Sequence, residues 1–338
     1  MTIKRIKKAS YCWVEKLVRR LVLRPNLQFK IMKNPLCDEL LIYQPTGTEV
    51  EDLYPWYIVS CALNVLLTIT AIALNSVTIQ TLRKASSLSK PIRTLLLSLA
   101  FTDLGVGLLC HPFNIAFLIK WLRQNMENYP TCAAYTAFTL ITNSLSKASF
   151  FGIAALSVDR FLAIHLHLRY QELVTHRRVG GVVVVMWILS VLFALFRFLV
   201  STDITYVVFA INGIICYVVS ACLYFRIYLA VRRHKHHIQA QNGEMAANVA
   251  SASKSAVGTF YVYLVFLFCY LPNSFSLAFI ALQGSNAQTK VSTIYIWTLV
   301  LLNSSLNPVI YCWKLRPIRR AVMDILRNIL SQLRKASE

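Results

Sequence analysis

Three titratable side chains, Asp103, His111 and Lys147, stand alone inside long apolar stretches of the 338-residue chain. A charge in such surroundings is costly unless it is partnered or hydrated, so each of these residues invites a chemical reading. Hydrolysis inside a membrane would need a Ser/His, paired-Asp or His-rich metal set. One Asp, one Lys and one His are too few for it. Directly after the stretch that holds Lys147 come Asp159 and Arg160. Side by side they form either an ion pair that holds the Arg in place or a solvated helix-end pair worth less than about 1 kcal/mol. Pro272 and Pro308 each remove a backbone hydrogen bond from a helix and kink it.

Composition identifies the elements that carry these residues. Hydrophobic residues make up 57% of the chain and charged ones 14%, with a mean hydropathy of +0.54. Soluble domains run at about 45–50% and about 25%. Ten Gly, ten Pro and nine Cys exclude collagen-like, disordered and small disulfide-scaffold classes. A net charge of +21 would suit nucleic acid only if it were gathered on one exposed face. Here the basic residues separate uncharged runs, so the partner is a lipid membrane and not nucleic acid. A helix needs about 20 apolar residues to cross the hydrocarbon core. Seven runs almost free of charge answer to that: 55–82, 94–119, 128–158, 179–196, 204–225, 255–289 and 291–313. None alternates as a barrel strand would. Trp56, Trp121, Trp297 and Trp313 fall near span ends, where an interfacial belt belongs. The expected fold is an all-α seven-helix membrane bundle.

Orientation follows from Lys and Arg. With the first residues outside, the inner loops and tail hold 19 of them and the outer loops and loop edges only Lys120, Arg123, Arg197 and Lys290. This positive-inside bias makes the C-terminus cytoplasmic. Residues 1–34 run against it, with ten Lys or Arg and one acid, Glu15. They read as a targeting peptide with a poor apolar core, as a basic amphipathic surface helix, or as residues ahead of a true start at Met32. The last is preferred, because the tail turns acidic after Met32 (Asp38, Glu39, Glu49, Glu51, Asp52). The expected organisation is an extracellular tail over 1–53, a membrane domain over 54–314 and a cytoplasmic tail over 315–338. In that tail Leu315, Ile318, Val322, Ile325, Leu326 and Ile329 recur at helical spacing, which reads as an amphipathic helix on the inner leaflet. The one Asn-x-Ser/Thr match in the sequence, Asn303, lies inside a span and gives no glycosylation site.

Seven spans alone admit a receptor, a transporter or an ion-conducting protein. No internal repeat of the transporter kind is visible. From about residue 54 to 330 the chain resembles the rhodopsin-like (class A) G-protein-coupled receptors. The resemblance rests on Asn75 in the first span, Leu99-Ala100-Phe101-Thr102-Asp103 in the second and Asp159-Arg160-Phe161 closing the third. It continues with Trp187 in the fourth, Tyr224 in the fifth, Cys269-Tyr270-Leu271-Pro272 in the sixth and Asn307-Pro308-Val309-Ile310-Tyr311 in the seventh. Seven motifs in register on seven spans make the likeness specific.

The resemblance implies a plasma-membrane receptor that is not an enzyme, takes an extracellular small-molecule, lipid or peptide ligand and activates a heterotrimeric G protein. It implies an activation switch of Asp159, Arg160, Tyr224, Tyr270, Pro272, Asn307, Pro308 and Tyr311, in which the sixth helix swings outward at its proline. No cofactor is implied beyond an allosteric sodium ion, held by Asp103 with Ser149, Asn303 and Asn307. The other reading of Asp103 is a protonated acid hydrogen-bonded to Asn75 and Asn307. Many relatives restrain the Arg with an acid on the sixth helix; here that region reads Ala250-Ser251-Ala252-Ser253-Lys254, so this restraint is missing. The expected pocket is Thr142, Asn143, Ser146, Tyr270, Asn273 and Trp297.

Lys147 sits 13 residues before Arg160, about 20 Å along the third helix and about 100° around it from Ser146. It reads either as a neutral or hydrogen-bonded lysine between helices, or as a pocket residue that pairs with an anionic ligand group. The departures from the family are as informative. The short loop between Phe196 and Tyr206 has no cysteine, so the family's usual disulfide to the top of the third helix is not expected. Cys37 or Cys110 remains as a partner for Cys132, or the thiol is free. That loop and Cys216, where relatives have Pro, look most like the melanocortin branch, whereas Tyr224–Arg233 is similar to adenosine receptors. The acidic cluster of melanocortin receptors is missing. Thr142 stands where monoamine receptors carry Asp, and Leu301 where retinal-binding relatives carry Lys, so a monoamine or retinal is not expected.

Overall fold

The computed structural model describes residues 50–84, 88–122, 132–166, 169–200, 202–238, 244–284 and 286–314, and beyond them 318–320, 322–324, 327 and 331. The expected seven spans are present as α1 (Val50–Lys84), α2 (Lys90–Leu122), α3 (Cys132–His165), α4 (His176–Leu195), α5 (Thr202–Ile238), α6 (Glu244–Gln283) and α7 (Ala287–Lys314). A membrane forces this form, since a spanning segment must satisfy its own backbone hydrogen bonds. Among the described residues, the faces turned outward are apolar: Leu66, Val184, Phe225 and Phe268 are each more than half exposed. The basic segment before Met32 and the acidic tail as far as Glu49 lie outside the described residues, whereas Glu51 and Asp52, expected in the tail, fall in the first turn of α1.

Charge counting placed the spans but not all their ends. The run 255–289 is not one helix, because Gly284 takes a left-handed backbone (φ 83°) and ends α6. Its N–H donates to the Ile280 carbonyl at 2.8 Å. Asn286 then caps α7, its Oδ1 accepting from the Thr289 N–H at 2.9 Å while the Thr289 hydroxyl accepts from the Asn286 N–H at 2.7 Å. This reciprocal capping box is a strong helix start. Midway along α2, Val106–Cys110 form a π-helical turn, a distortion found mostly at functional positions. Gly107 lies in it, and a Cβ there would come within 3.0 Å of Ile72. A side chain there would have to push Ala71 and Ile72 of α1 back by a few tenths of an ångström.

The tryptophans divide. Trp56 and Trp313 are exposed, as an interfacial belt requires. Trp297 instead turns inward onto a cavity, because a belt position is set by helix face as well as by depth. Trp187 Nε1 donates to Ser98 Oγ at 3.2 Å, joining α4 to α2. After α7, Ile318 is buried against the inner core with Val322 beside it, while Arg319, Arg320 and Asp324 are exposed.

Candidate functional site

In the outer half of the bundle, α3, α5, α6 and α7 and the end of the fourth span surround a cavity. Asn143, Ser146, Lys147, Tyr270, Asn273 and Trp297 line it as expected. Thr142 does not. It is fully buried beside Cys110 of α2, one residue and therefore about 100° away from Asn143. Cys110 is a free thiol, so the pairing with Cys132 offered by the sequence is absent; the side chain of Cys132 and all of Cys37 lie outside the described residues.

Sequence reasoning missed the residues that fix the cavity's chemistry. Arg197, expected at a loop edge, is only 6% exposed and lines the cavity from a turn of 3-10 helix, Phe196–Phe198, that extends α4. Phe209 and Tyr217 of α5 and Phe150 of α3 line it as well. The signal was there in the Phe196-Arg197-Phe198 triplet, whose aromatic flanks are unusual for a solvated loop. Lys147 Nζ lies 4.8 Å from the Phe209 ring centroid, 5.1 Å from Phe193 and 5.5 Å from Phe150. It therefore faces α4 and α5 and still borders the cavity. Among the described residues it has no carboxylate partner.

Below the cavity a second polar cluster surrounds Asp103, which is fully buried. Asn307 Nδ2 donates to its Oδ2 at 2.9 Å. Asn75 does not reach it: its Nδ2 donates to the carbonyls of Ser304 and Ala71, each at 2.9 Å. Its amide is taken up by its own helix and by the facing α7. Asp103 Oδ1, Ser149 Oγ, both amide atoms of Asn303 and Asn307 Oδ1 have no partner among the described residues. One carboxylate with several unsatisfied neutral oxygens is a donor set suited to a small hard cation and its waters, so these residues fit the sodium expected there. Asn307→Ala would remove one of the two side-chain donors, Asn307 and Ser304, that reach the buried Asp103 carboxyl group, a loss of about 1 kcal/mol. The thermal midpoint of purified Asn307→Ala protein is therefore expected to fall clearly below wild type, whereas an unchanged midpoint would mean that Asn307 does not hold Asp103.

At the inner end, Arg160 Nε donates to Asp159 Oδ2 at 2.9 Å, and the two form an ion pair with both side chains almost fully buried. Tyr170, in a single helical turn (Tyr170–Leu173) between α3 and α4, donates its hydroxyl to the free Asp159 Oδ1 at 2.7 Å. Burial first, and then the Asp159 carboxylate, push the Tyr170 phenol well above its ordinary range, so it stays a donor throughout physiological pH. Tyr224 links three helices: it accepts from Ser157 Oγ of α3 at 3.1 Å and donates to the Thr259 carbonyl of α6 at 3.0 Å. Tyr311 is buried nearby, its hydroxyl unpaired among the described residues. Pro272 and Pro308 sit within continuous α6 and α7. The side chains of residues 250–254 lie outside the described residues.

Beneath the cavity, aromatic rings of α6 and α3 interlock. Tyr270, on the cavity, stacks on Phe266 with centroids 4.4 Å apart, and Phe266 meets Phe150 of α3 at 5.2 Å. Among the described residues no group of three or more His, Cys, Asp or Glu converges on a point.

Residues 74–311 match the family described as 7 transmembrane receptor (rhodopsin family). Over 307 residues the chain is 24% identical to adenosine receptor A2b of Gallus gallus, covering 79% of this chain and 88% of that protein. It is 26% identical over 290 residues to adenosine receptor A3 of Ovis aries, covering 78% and 88%. A shorter match of 129 residues to adenosine receptor A2b of Rattus norvegicus reaches 33%, covering 38% and 37%. These relatives are receptors, and they do not favour a transporter or channel.

Proposed function

We propose, from the premise that the chain belongs to the rhodopsin family of seven-transmembrane receptors, that it binds an extracellular ligand and activates a heterotrimeric G protein. It sits in the plasma membrane with residues 1–53 outside, 54–314 as the receptor domain and 315–338 as an amphipathic helix and tail inside, in keeping with the positive-inside bias. The ligand enters the cavity of Asn143, Ser146, Lys147, Tyr270, Asn273 and Trp297. The ligand in the relatives' names, adenosine, is one candidate.

The observation that carries this reading is the stack of Tyr270 on Phe266. A ligand pressing on Tyr270 bears directly on α6, two residues to the inner side of Pro272, where a missing backbone hydrogen bond makes the helix compliant. Outward movement of the inner end of α6 breaks the Tyr224–Thr259 bond and opens the space beside Arg160 to the G protein. A ligand acts only through its preference for one of two such states. Sodium at Asp103, Ser149, Asn303 and Asn307 favours the closed one. The test is guanine-nucleotide exchange on added G protein in membranes with and without the receptor. Exchange above receptor-free membranes supports the reading, and none under any condition sinks it.

Tyr170 supplies a separate expected result. Tyr170→Phe removes one bond to the Asp159 carboxylate, about 1 kcal/mol at this half-buried site. Since 1.4 kcal/mol is tenfold in population, ligand-independent exchange should rise several-fold. Exchange equal to wild type at matched surface expression would mean that Tyr170 does not restrain the switch.

A further inference from the structure

We infer that the outer cavity is a site for a small organic anion, a carboxylate carried on an aromatic body, with Lys147 as its counter-charge; this rests on the receptor reading and names its ligand class. Lys147 lies in the middle of a membrane span, and among the described residues the ionisable groups that act on it are Cys216 and Arg197. Neither supplies a carboxylate. The three rings around Nζ soften its isolation, but cation–π contacts offset only part of the cost of withdrawing an ammonium from water. The aromatic cage therefore leaves an electrostatic deficit that an anion in the cavity would fill.

A second cation stands on the same cavity. Arg197 Cζ is 5.7 Å from the centroid of Phe209, the ring that also lies 4.8 Å from Lys147 Nζ. Two positive side chains thus share one aromatic wall, and none of the cavity's lining residues is acidic. The rest of the wall sets the body of the ligand. Tyr217, Tyr270 and Trp297 present ring faces and edges, which favour offset or edge-on contact with another aromatic ring. Asn143, Asn273 and Ser274 add neutral polar groups able to orient it. The cavity measures about 60 Å³, against about 10–15 Å³ for a single water. That is room for a small molecule.

The experiment compares phenylacetate, indoleacetate and naphthylacetate with their primary amides as thermal stabilisers of the purified full-length receptor, with no G protein present. The acids should raise the unfolding midpoint in a saturable way and the amides should not, because only the charge differs. Lys147→Gln should weaken the acid response roughly tenfold or more, and Lys147→Arg should restore it in part. The inference is overturned if no acid shifts the midpoint, if acid and amide act alike, or if the acid response survives Lys147→Gln. Should Lys147→Gln fail to fold, the acid–amide comparison on wild type decides alone. Acid binding with no nucleotide exchange would leave the anion site standing and remove the receptor reading. Exchange without acid preference would do the reverse.

Discussion

Membranes carrying Arg160→Ala are expected to exchange no more guanine nucleotide than membranes without receptor. Arg160 is 6% exposed at the inner end of α3 and is held by Asp159, which is itself held by Tyr170. Its planar guanidinium offers five donors in a fixed fork. On release from Asp159 that fork can meet the carbonyl-rich, partly negative end of an incoming helix. Alanine offers no donor, so the loss should be near complete and not graded. The substitution also leaves Asp159 with Tyr170 in place of two partners, and removing one member of a buried pair is strongly destabilising. Exchange must therefore be normalised to receptor at the cell surface. Arg160→Lys is the companion variant: it keeps the charge that Asp159 needs and loses the fork, so it should fold and still lose most exchange. A variant that reaches the surface at the wild-type level and exchanges normally would remove Arg160 from the switch.

Much of the fold was legible because a bilayer punishes charge so heavily that uncharged runs and spans nearly coincide. The coincidence fails where charge does not mark the boundary. Between α6 and α7 the break is made by Gly284 and Asn286, which are uncharged, and a charge count passes over them. At the inner end the opposite error arises, since α5 continues to Ile238 well past Arg226 and Arg232. Once out of the hydrocarbon a helix can carry any charge.

The candidate site was legible to the same degree and for related reasons. Asp103 and Asn307 could be paired from sequence because both stand at matching positions of the receptor family. Asn75 could not be assigned, because a backbone carbonyl leaves no trace in residue types. Lys147 was conspicuous and its surroundings were not: Phe193 and Phe209 come from two other helices, and only packing brings their rings to it. Thr142 was lost to a rotation of one residue. Arg197 was lost because a cation at the end of an apolar run reads as a loop until its burial is known.

Phe266→Ala should be among the most damaging single changes to the bundle, for reasons of packing alone. The side chain is 3% exposed. Its ring meets Tyr270 at 4.4 Å, Phe150 at 5.2 Å and Tyr217 at 6.0 Å, so three helices converge on it. In lipid the transfer part of the cost largely disappears, since lipid tails are as apolar as the side chain removed. The void remains. A cavity on the order of 100 Å³ at about 24 cal/mol per Å³ comes to about 2.4 kcal/mol. Phe268, two residues along the same helix, is the control: it is 65% exposed and faces outward, where lipid fills the space alanine leaves. Phe268→Ala should therefore scarcely move the unfolding midpoint of the purified receptor, while Phe266→Ala lowers it markedly. Ligand response should fall further than stability does, because Tyr270 then has no ring beneath it through which to act on α6. Phe266→Leu, which refills most of the volume without a ring face, should regain stability before it regains response. Equal midpoints for the two alanine variants would show that Phe266 does not carry the contact between the cavity and the inner half of the bundle.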